Sequence, residues 1–252
     1  KDEEVEVSLL KEKTWVFSTW DYTTMYLIEG EDKAVLIDTG TRCADLDKIV
    51  GQITGKPLEV IVTHMHPDHA GCIKYFDKVW MHRADTVLVP QHAADYQGEF
   101  LYMEEGQVFD LGGRKLEVAW MPGHTPGSVV LLDKANGDCY SGDAFGSGEV
   151  WLQCVPMSPI ATFHESCCRM EKLMKEGHIK DIWCGHYPYL KSSLPLAYIQ
   201  TMIRISHRLM NGDQEGSEPY SNYFIKMPPT ARKLAEGRAM IVYDSTNIPE
   251  AR

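Results

Sequence analysis

The sequence has few positively charged residues and no long apolar segment. These two absences argue against nucleic acid and membrane as partners. The 252 residues include 25 Lys and Arg against 36 Asp and Glu, which gives a net charge of −11 at pH 7. No basic run stands out that could bind nucleic acid. No apolar segment approaches the ~20 residues that a membrane-spanning helix requires. We therefore expect a small-molecule substrate, with neither nucleic acid nor membrane as a partner, and the oligomeric state stays open.

No disulfide framework is visible either. The cysteines are odd in number, and no two of them form a Cys-x-x-Cys pair. We expect most of them to be reduced and packed as small apolar residues, which favours a cytoplasmic location. Residue 1 is Lys, so we also expect a trimmed N-terminus, with a removed tag and a removed signal peptide both left open. The cysteines are Cys43, Cys72, Cys139, Cys154, Cys167, Cys168 and Cys184.

Patterns typical of strands and helices run through the whole sequence. With 44% hydrophobic residues, the chain can fill the core of one domain. Runs of β-branched and aromatic residues predict strands over Thr14–Trp20, Thr24–Glu29, Ala34–Ile37, Leu58–Val62, Val79–His82, Gln107–Asp110, Lys115–Trp120, Ser128–Asp133, Asp138–Ser141, Asp181–Cys184 and Ala239–Tyr243. Amphipathic spacing predicts helices over Ala44–Ile53, Ala70–Phe76, Thr162–Glu176 and Leu194–Met210, and more weakly over Ala84–Ala94. Thr162 is a candidate N-cap with Glu165 three residues later.

The densest chemical signal is the run Thr63-His64-Met65-His66-Pro67-Asp68-His69, directly after the apolar segment Leu58–Val62. It places three imidazoles and one carboxylate within six residues. Imidazole and carboxylate are the ligands that zinc and similar divalent metals prefer. Because burying such a cluster without partners would be costly, ordinary core packing does not explain it. A strand that ends here would hold metal ligands at the edge of a sheet.

Three later segments repeat this arrangement with one ligand each. His124, Asp143 and His186 each follow a predicted strand, and each is directly preceded by glycine. Glycine lets the backbone approach a crowded site closely. A single loop histidine or aspartate is usually a surface group. The same placement at several strand ends instead predicts one shared site.

Together with the first run, these residues resemble the signature of the metallo-β-lactamase-fold hydrolases, in which Thr-His-x-His-x-Asp-His is followed by single His, Asp and His ligands. The resemblance covers about residues 14–190 and includes all seven ligand positions. It implies an α+β fold, an αββα sandwich in which two mixed sheets pack face to face with helices on their outer faces. It also implies a single domain over residues 1–252, with a core of about 14–190 and a C-terminal helix and tail over 191–252.

The resemblance further implies a role for each ligand. Asp143 would bridge two metals, a feature of the glyoxalase-II-like, lactonase-like and phosphodiesterase-like branches, which disfavours an antibiotic-degrading role. Asp38, in an Asp-Thr-Gly motif, would orient a ligand or its loop, with a turn-capping role as the alternative. The first metal would take three histidines, and the second one aspartate and two histidines: His64, His66 and His124 for the first, and Asp68, His69 and His186 for the second.

The function implied is metal-dependent hydrolysis. The expected cofactors are two divalent metal ions, Zn²⁺ first, with iron and manganese as alternatives. Two such ions ~3.5–4 Å apart can share a hydroxide, which would cleave a small ester, thioester or lactone. Asp68 would orient this hydroxide and pass its proton to the leaving group. An iron-dependent oxidoreductase of the persulfide-dioxygenase type and a non-catalytic metal-binding regulator are the alternatives.

Residues outside the metal ligands must recognise the substrate. Tyr187 is the first choice as a catalytic contact, followed by Tyr189 and Tyr22, with packing beneath the site as the alternative for each. Three further aromatic residues are candidates for pocket walls, although core packing is favoured for them: Trp120, Trp151 and Phe163. The remaining histidines are interpreted as surface or capping groups: His82, His92, His164, His178 and His207.

Overall fold

A computed structural model gives the fold and describes residues 4–223 and 226–249. Its strands are β1 (Val5–Lys11), β2 (Thr14–Thr19), β3 (Thr24–Glu29), β4 (Ala34–Ile37), β5 (Leu58–Ile61), β6 (Lys78–His82), β7 (Glu99–Met103), β8 (Val108–Asp110), β9 (Lys115–Trp120), β10 (Val129–Asp133), β11 (Asp138–Gly142), β12 (Glu149–Trp151), β13 (Asp181–Cys184), β14 (Glu218–Pro219), β15 (Ala231–Glu236) and β16 (Ala239–Asp244). Its helices are α1 (Leu46–Gly51), α2 (Pro67–Ala70), α3 (Val89–His92), α4 (Ile160–Lys175), α5 (Tyr187–Leu190) and α6 (Leu196–Met210). None of the helices in these ranges is both long and apolar enough to cross a bilayer.

The first sheet contains β1 to β7 in chain order. The first four strands pair antiparallel, whereas β4, β5, β6 and β7 pair parallel. Parallel strands bring their C-terminal ends to the same edge of a sheet, where ligands of α/β proteins commonly bind. The loops that follow β4 and β5, which carry Asp38 and His64, therefore lie side by side.

The second sheet contains five strands in the order β13-β11-β10-β9-β8 and packs face to face on the first. Their inward-facing apolar side chains form one buried cluster, with Tyr26 and Ile61 from the first sheet and Val118 and Leu131 from the second. Each sheet mixes parallel and antiparallel pairing. The predicted pair of mixed sheets is confirmed.

Helices cover the outer face of each sheet. On the first sheet, Leu46 and Val50 of α1 pack in one cluster with Leu36 of β4. On the second sheet, Phe163 of α4 and Ile199 of α6 share a cluster with β-strand side chains. Their apolar residues recur at helical spacing, so one stripe of each helix is buried. The αββα order of layers is therefore confirmed.

A third sheet was not predicted. It has four strands in the order β12-β16-β15-β14, and β12 pairs parallel with β16. The tail after residue 210 thus returns to the core, because its strand β16 lies beside the segment that follows Asp143. The prediction of two sheets was therefore incomplete. The third sheet was missed because only one of its four strands, predicted over Ala239–Tyr243, has a recognisable strand pattern. The division into a core and a tail stays a prediction.

Several element boundaries also differ from prediction. The strands β1 and β7 were missed, because all but one of their side chains are exposed or half-buried and both strands lie at the edges of the first sheet. The predicted helix Ala70–Phe76 is instead the short α2 followed by a 3₁₀ turn over Ile73–Tyr75. Thr162 is not an N-cap, since α4 begins at Ile160 and Pro159 occupies that position.

Candidate metal centre

The seven predicted ligands come together at one edge of the two sheets. The first four follow β5 and enter α2, which begins with Pro67 directly after His66. Proline at the first helical position fixes φ and so turns the chain sharply after the strand. The other three follow β9, β11 and β13 of the second sheet. Both sheets therefore contribute ligands to one site.

Three histidines form the first group: His64, His66 and His124. Their candidate ligand nitrogens all lie within 4.8 Å of one another. The closest approach joins His66 Nδ1 and His124 Nε2, which are 2.9 Å apart. The rings of His64 and His124 lie edge to face, with centroids 4.7 Å apart. This arrangement points three imidazole nitrogens at one small volume.

The second group consists of Asp68, His69, Asp143 and His186, whose candidate ligand atoms also lie within 4.8 Å of one another. Asp143 Oδ2 lies 3.2 Å from His186 Nε2, and Asp143 Oδ1 lies 3.5 Å from His69 Nε2. Asp143 Oδ2 is also 3.9 Å from His124 Nε2 of the first group. Asp143 therefore lies between the two groups, as a bridging carboxylate would.

Hydrogen bonds fix the orientation of several of these rings. His69 Nδ1 donates to Asp38 Oδ2 at 2.7 Å, and His124 Nδ1 donates to the backbone oxygen of Trp151 at 2.8 Å. Each bond directs the other ring nitrogen into the site and sets the tautomer. Asp38 also accepts hydrogen bonds from the backbone nitrogen and the hydroxyl of Thr63. Its contacts are those of an orienting residue rather than of a turn cap.

Burial makes the first group neutral. It lowers the pKa of His66 to about 3 and lowers the pKa of His64 and of His124 below the usual value. The neighbouring imidazoles act in the same direction on His64 and His66, because like charges so close together repel. Three neutral imidazoles offer lone pairs, which is the form in which histidine binds metals.

The second group attracts positive charge. Burial opposes protonation of His69 and His186, but Asp143 and other nearby carboxylates outweigh it and raise the pKa of both rings. Burial also opposes ionisation of Asp68 and Asp143, yet the two histidines hold the pKa of both carboxyls below the usual range. The two carboxylates therefore require positive charge between them, which protonated imidazoles or a cation can provide.

The buried polar atoms of the site fit a metal as their missing partner. Within residues 4–223 and 226–249, seven buried side-chain nitrogen or oxygen atoms have no hydrogen bond, and four belong to these two groups. Three of them suit a metal, His64 Nε2, His69 Nε2 and Asp143 Oδ1, whereas the fourth is His186 Nδ1, on the ring whose Nε2 faces Asp143. Leaving such atoms unpaired is costly. Imidazole and carboxylate donors in groups of three and four match the ligand sets of divalent metals.

A cavity of about 810 Å³ opens directly above these groups and includes Asp68, Asp143 and His186 in its walls. Tyr189 lines it, whereas Tyr187 does not, and the Tyr187 ring packs near Trp183 instead. The structure therefore favours Tyr189 over Tyr187 as a substrate contact. The Tyr22 ring packs at a tilted angle against that of Tyr189, with ring centroids 5.0 Å apart.

Of the remaining aromatic and histidine candidates, some line the cavity and others lie in the core or at the surface. Trp151 lines the cavity, so the preference for core packing was wrong for this residue. Phe163 is fully buried in the core, and Trp120 stacks on His82 at the surface. His92 was wrongly interpreted as an ordinary surface group, because it lines the cavity with its ring 5.8 Å from that of His66.

The sequence analysis missed Asp85, a fully buried carboxylate that contacts the loops of the first histidine group. Its pKa is raised to about 6 by burial, against the effect of its hydrogen bonds. The position follows β6 and starts no recognisable motif. With Arg83 only two positions away, nothing in the sequence distinguishes Asp85 from a surface carboxylate.

A family model described as the metallo-beta-lactamase superfamily matches residues 18–155, more than half of the chain. This chain belongs to the metallo-beta-lactamase superfamily. The match includes six of the seven predicted ligands and ends before His186. The resemblance predicted from the motifs is confirmed, and so is the prediction of an enzyme at the level of this superfamily.

Several similar curated proteins are named as hydrolases. Human acyl-coenzyme A thioesterase MBLAC2 is 25% identical over 210 residues, which cover 68% of this chain and 75% of that protein. A hydroxyacylglutathione hydrolase from Francisella philomiragia is 24% identical over 188 residues, covering 73% and 72% of the two chains. Among solved structures, a metallo-beta-lactamase from Pontibacter korlensis has a TM-score of 0.65 at 17% identity, covering 81% of this chain and 99% of its own. That likeness supports the fold alone.

Proposed function

We propose that this protein is a metal-dependent hydrolase that cleaves thioesters, within the broader class of small esters, thioesters and lactones. One observation carries the proposal: two candidate ligand groups, with Asp143 of the second group 3.9 Å from His124 of the first, lie at the floor of an 810 Å³ cavity. Cys154 in the cavity wall is a poor alternative nucleophile. Burial raises the pKa of its thiol to about 12, so little thiolate is present at neutral pH.

Divalent ions held by His64, His66 and His124 and by Asp68, His69, Asp143 and His186 would supply Lewis acidity and lower the pKa of a water toward ~7. The protein supplies the geometry. Asp38 and the Trp151 carbonyl hold two of the rings in a single orientation. Preorganised groups of this kind need no rearrangement during the reaction.

Asp68 is the residue we assign to proton transfer. Its side chain is a third exposed and faces the cavity, unlike the fully buried His69 beside it. Asp68 Oδ2 lies 3.5 Å from His186 Nε2, which fixes one oxygen on the inner side of the site. The carboxylate can accept a proton from the attacking water and pass it to the leaving sulfur. Such transfer typically contributes 10²–10⁴-fold to a rate.

The shape of the cavity supports a thioester with an apolar acyl group and an anionic thiol half. Trp20, Trp151 and Val155 provide large apolar walls. Lys226, from the segment before β15, adds a cation to the lining. Other basic residues of this tail are engaged elsewhere, since Arg232 donates to Ser217 and Lys233 pairs with Glu218. Acyl-coenzyme A thioesters combine these two features, whereas a hydroxyacylglutathione shares the anionic thiol half and has a hydroxylated acyl group.

A hydrolysis assay on the zinc-loaded chain tests the proposal, with acid release measured for every substrate and thiol release measured in addition for the thioesters. The panel contains acyl-coenzyme A thioesters of several chain lengths, a hydroxyacylglutathione, a lactone and a simple ester, with a phosphodiester and a β-lactam as controls. We expect thioester cleavage to exceed the other activities. The double variant His66→Ala with Asp68→Ala should lose at least about 10³-fold, since it removes one ligand from each group and the proton carrier.

The matched control is His178→Ala, an exposed histidine beyond the end of α4. It should retain the wild-type rate. Absence of hydrolysis on the whole panel, or an unchanged rate in the double variant, would overturn the proposal. One bound iron with oxygen consumption on a persulfide would favour the oxidoreductase instead.

A further inference from the structure

Asp85 is buried beside the metal centre without belonging to either ligand group. It follows β6 in the first sheet, and none of its side chain is exposed. No salt bridge to Asp85 occurs in the described ranges 4–223 and 226–249, so hydrogen bonds alone compensate its burial. Burying a carboxylate is costly unless hydrogen bonds compensate it, so Asp85 depends on the groups that donate to it.

Its two oxygens tie together the two loops that carry the first histidine group. Oδ2 accepts a hydrogen bond of 3.0 Å from the backbone nitrogen of Met65, the residue between His64 and His66. The same oxygen accepts one of 2.9 Å from the hydroxyl of Thr125, next to His124. One loop comes from the first sheet and the other from the second. Asp85 is thus a direct link between them.

A third bond and a close contact complete the link. Oδ1 accepts a hydrogen bond of 2.6 Å from the backbone nitrogen of Gly127. A Cβ atom at position 127 would lie 2.6 Å from Cγ and Oδ1 of Asp85, which real side chains do not tolerate. The His124 loop can therefore approach Asp85 only because residue 127 is glycine.

We infer that Asp85 is the positioning residue of the first metal-binding group, holding the His64–His66 segment and the His124 loop at the spacing that lets three imidazoles converge. This inference rests on the proposed metal centre. It differs from the role of Asp38, which contacts His69 of the second group directly. Two buried aspartates would then serve different halves of one site, Asp85 the first and Asp38 the second.

The variant Asp85→Asn tests this role while keeping the side-chain shape. An amide has one oxygen, so one end of the new side chain must turn an NH₂ group toward a backbone or hydroxyl donor. At least one link between the loops is then lost. Changes in groups that orient metal ligands typically weaken metal affinity 10–100-fold. We expect that loss for one of the two metal equivalents and not for the other.

The measurement is competition titration of the metal-free full chain with Zn²⁺ against a chelator. The matched control is Asp133→Asn, a fully buried aspartate that accepts from Arg114 and Asn136 away from the site. It should lower the stability of the fold and leave both zinc affinities within about 2-fold. Asp38→Asn should weaken the other equivalent.

A double variant identifies which half Asp85 serves. In a His124→Ala background the first group is already incomplete, so adding Asp85→Asn should change zinc binding by less than about 2-fold. If Asp85→Asn proves too unstable, Thr125→Val removes one of the three links and should give a smaller weakening of the same equivalent. Gly127→Ala should do likewise by pushing the loop away from Asp85.

Three outcomes would overturn the inference. They are an unchanged zinc titration in Asp85→Asn, an equal weakening of both equivalents, and an additive loss in the His124→Ala background. A wild-type chain that binds zinc normally but hydrolyses no thioester refutes the proposed function and leaves the role of Asp85 standing. A wild-type chain that binds no zinc refutes both.

Discussion

The hydroxyl of Tyr26 donates a hydrogen bond of 2.7 Å to the backbone oxygen of Cys184, across 158 positions of sequence. Tyr26 belongs to β3 of the first sheet, and Cys184 is the last residue of β13 in the second, two positions before His186. The neighbouring residue Thr24 adds a backbone bond to Gly185 and accepts one from the nitrogen of Tyr187. The strand that carries Tyr26 therefore holds the His186 loop from the opposite sheet.

Tyr26→Phe should weaken both the fold and the second metal group. The lost hydrogen bond leaves a buried carbonyl oxygen without that partner, which costs about 1–3 kcal/mol. Urea unfolding measures the loss, and zinc titration measures the effect on metal affinity. Tyr243→Phe is the matched control, because that buried hydroxyl bonds to Gln214 rather than to the site. Equal zinc affinity in the two variants would show that the Tyr26 bond stabilises the fold alone.

Removal of metal should destabilise the protein. The two carboxylates of the second group and the unpaired imidazole nitrogens are left without a cation, and a ligand that binds only the folded state stabilises it by RT ln(1 + [L]/Kd). At a metal concentration of 100 Kd this is about 2.7 kcal/mol, or roughly 5–11 °C in Tm for a chain of this size. Thermal unfolding after chelation and after adding zinc back measures it. The variant His66→Ala with Asp68→Ala should show little shift, and a full-sized shift there would place the metal elsewhere.

The candidate ligands were predictable because their residue types form short, recognisable patterns in the sequence. The run from His64 to His69 is too rich in metal-binding groups to be ordinary core, and each later ligand carries a glycine before it. Gly185 shows why, since a Cβ there would lie 2.5 Å from Asp143 Oδ1. The buried strands on either side of these loops were equally visible, because continuous apolar runs such as Ala34–Ile37 have one plausible place in a layered fold.

What sequence could not reveal depends on contacts between distant segments. Asp85 became recognisable only when folding brought Met65 and Gly127 to it from 20 and 42 positions away. Tyr187 and Tyr189 are two residues apart, yet the turn of α5 leaves only the second in the cavity wall. The strand β15 has too little apolar periodicity to be predicted, and its place follows from pairing with β16. Tertiary contacts decide these cases, not local propensity.

Lys226→Gln should separate recognition of the thiol half from chemistry. An exposed cation that contacts an anionic group contributes up to about 1 kcal/mol, so KM for an acyl-coenzyme A thioester should rise about 2–5-fold with kcat unchanged. The KM for an uncharged thioester of the same acyl chain should not change. Steady-state kinetics at low and high salt measure both, and added salt should reduce the difference. A fall in kcat on the uncharged substrate would contradict this role.

Stability should depend on pH through Asp85. Burial raises its pKa from the usual 3.8 to about 6 in the folded chain. Between these pH values the folded state keeps a proton that the unfolded state has lost. The contribution of this proton to the free energy of unfolding is therefore complete below pH 3.8 and is lost as the pH rises through 6. The difference between the two pKa values corresponds to about 3 kcal/mol in the free energy of unfolding. Urea unfolding of metal-free wild type and Asp85→Asn from pH 4.5 to 7.5 should show the wild type losing stability relative to the variant. Parallel curves would contradict the raised pKa.

Gly185→Ala should damage the metal centre with little change elsewhere. The new Cβ would lie 2.5 Å from Asp143 Oδ1 and also 2.5 Å from His69 Cε1. His69 is fully buried and fixed by Asp38, so it cannot move away, and Asp143 must leave its position between the two groups. Because Asp143 faces both groups, both zinc equivalents should weaken, by about 10–100-fold each.

Gly51→Ala is the matched control for that substitution. Gly51 ends α1, and a Cβ there meets nothing within 4 Å, so this change should be neutral or slightly stabilising. Zinc titration and thioester cleavage distinguish the two glycines, and circular dichroism checks that both variants fold. A Gly185→Ala protein that folds and keeps both zinc affinities would show that Asp143 does not bridge. The shared carboxylate on which the two-metal interpretation depends would then have to be abandoned, even with every histidine in place.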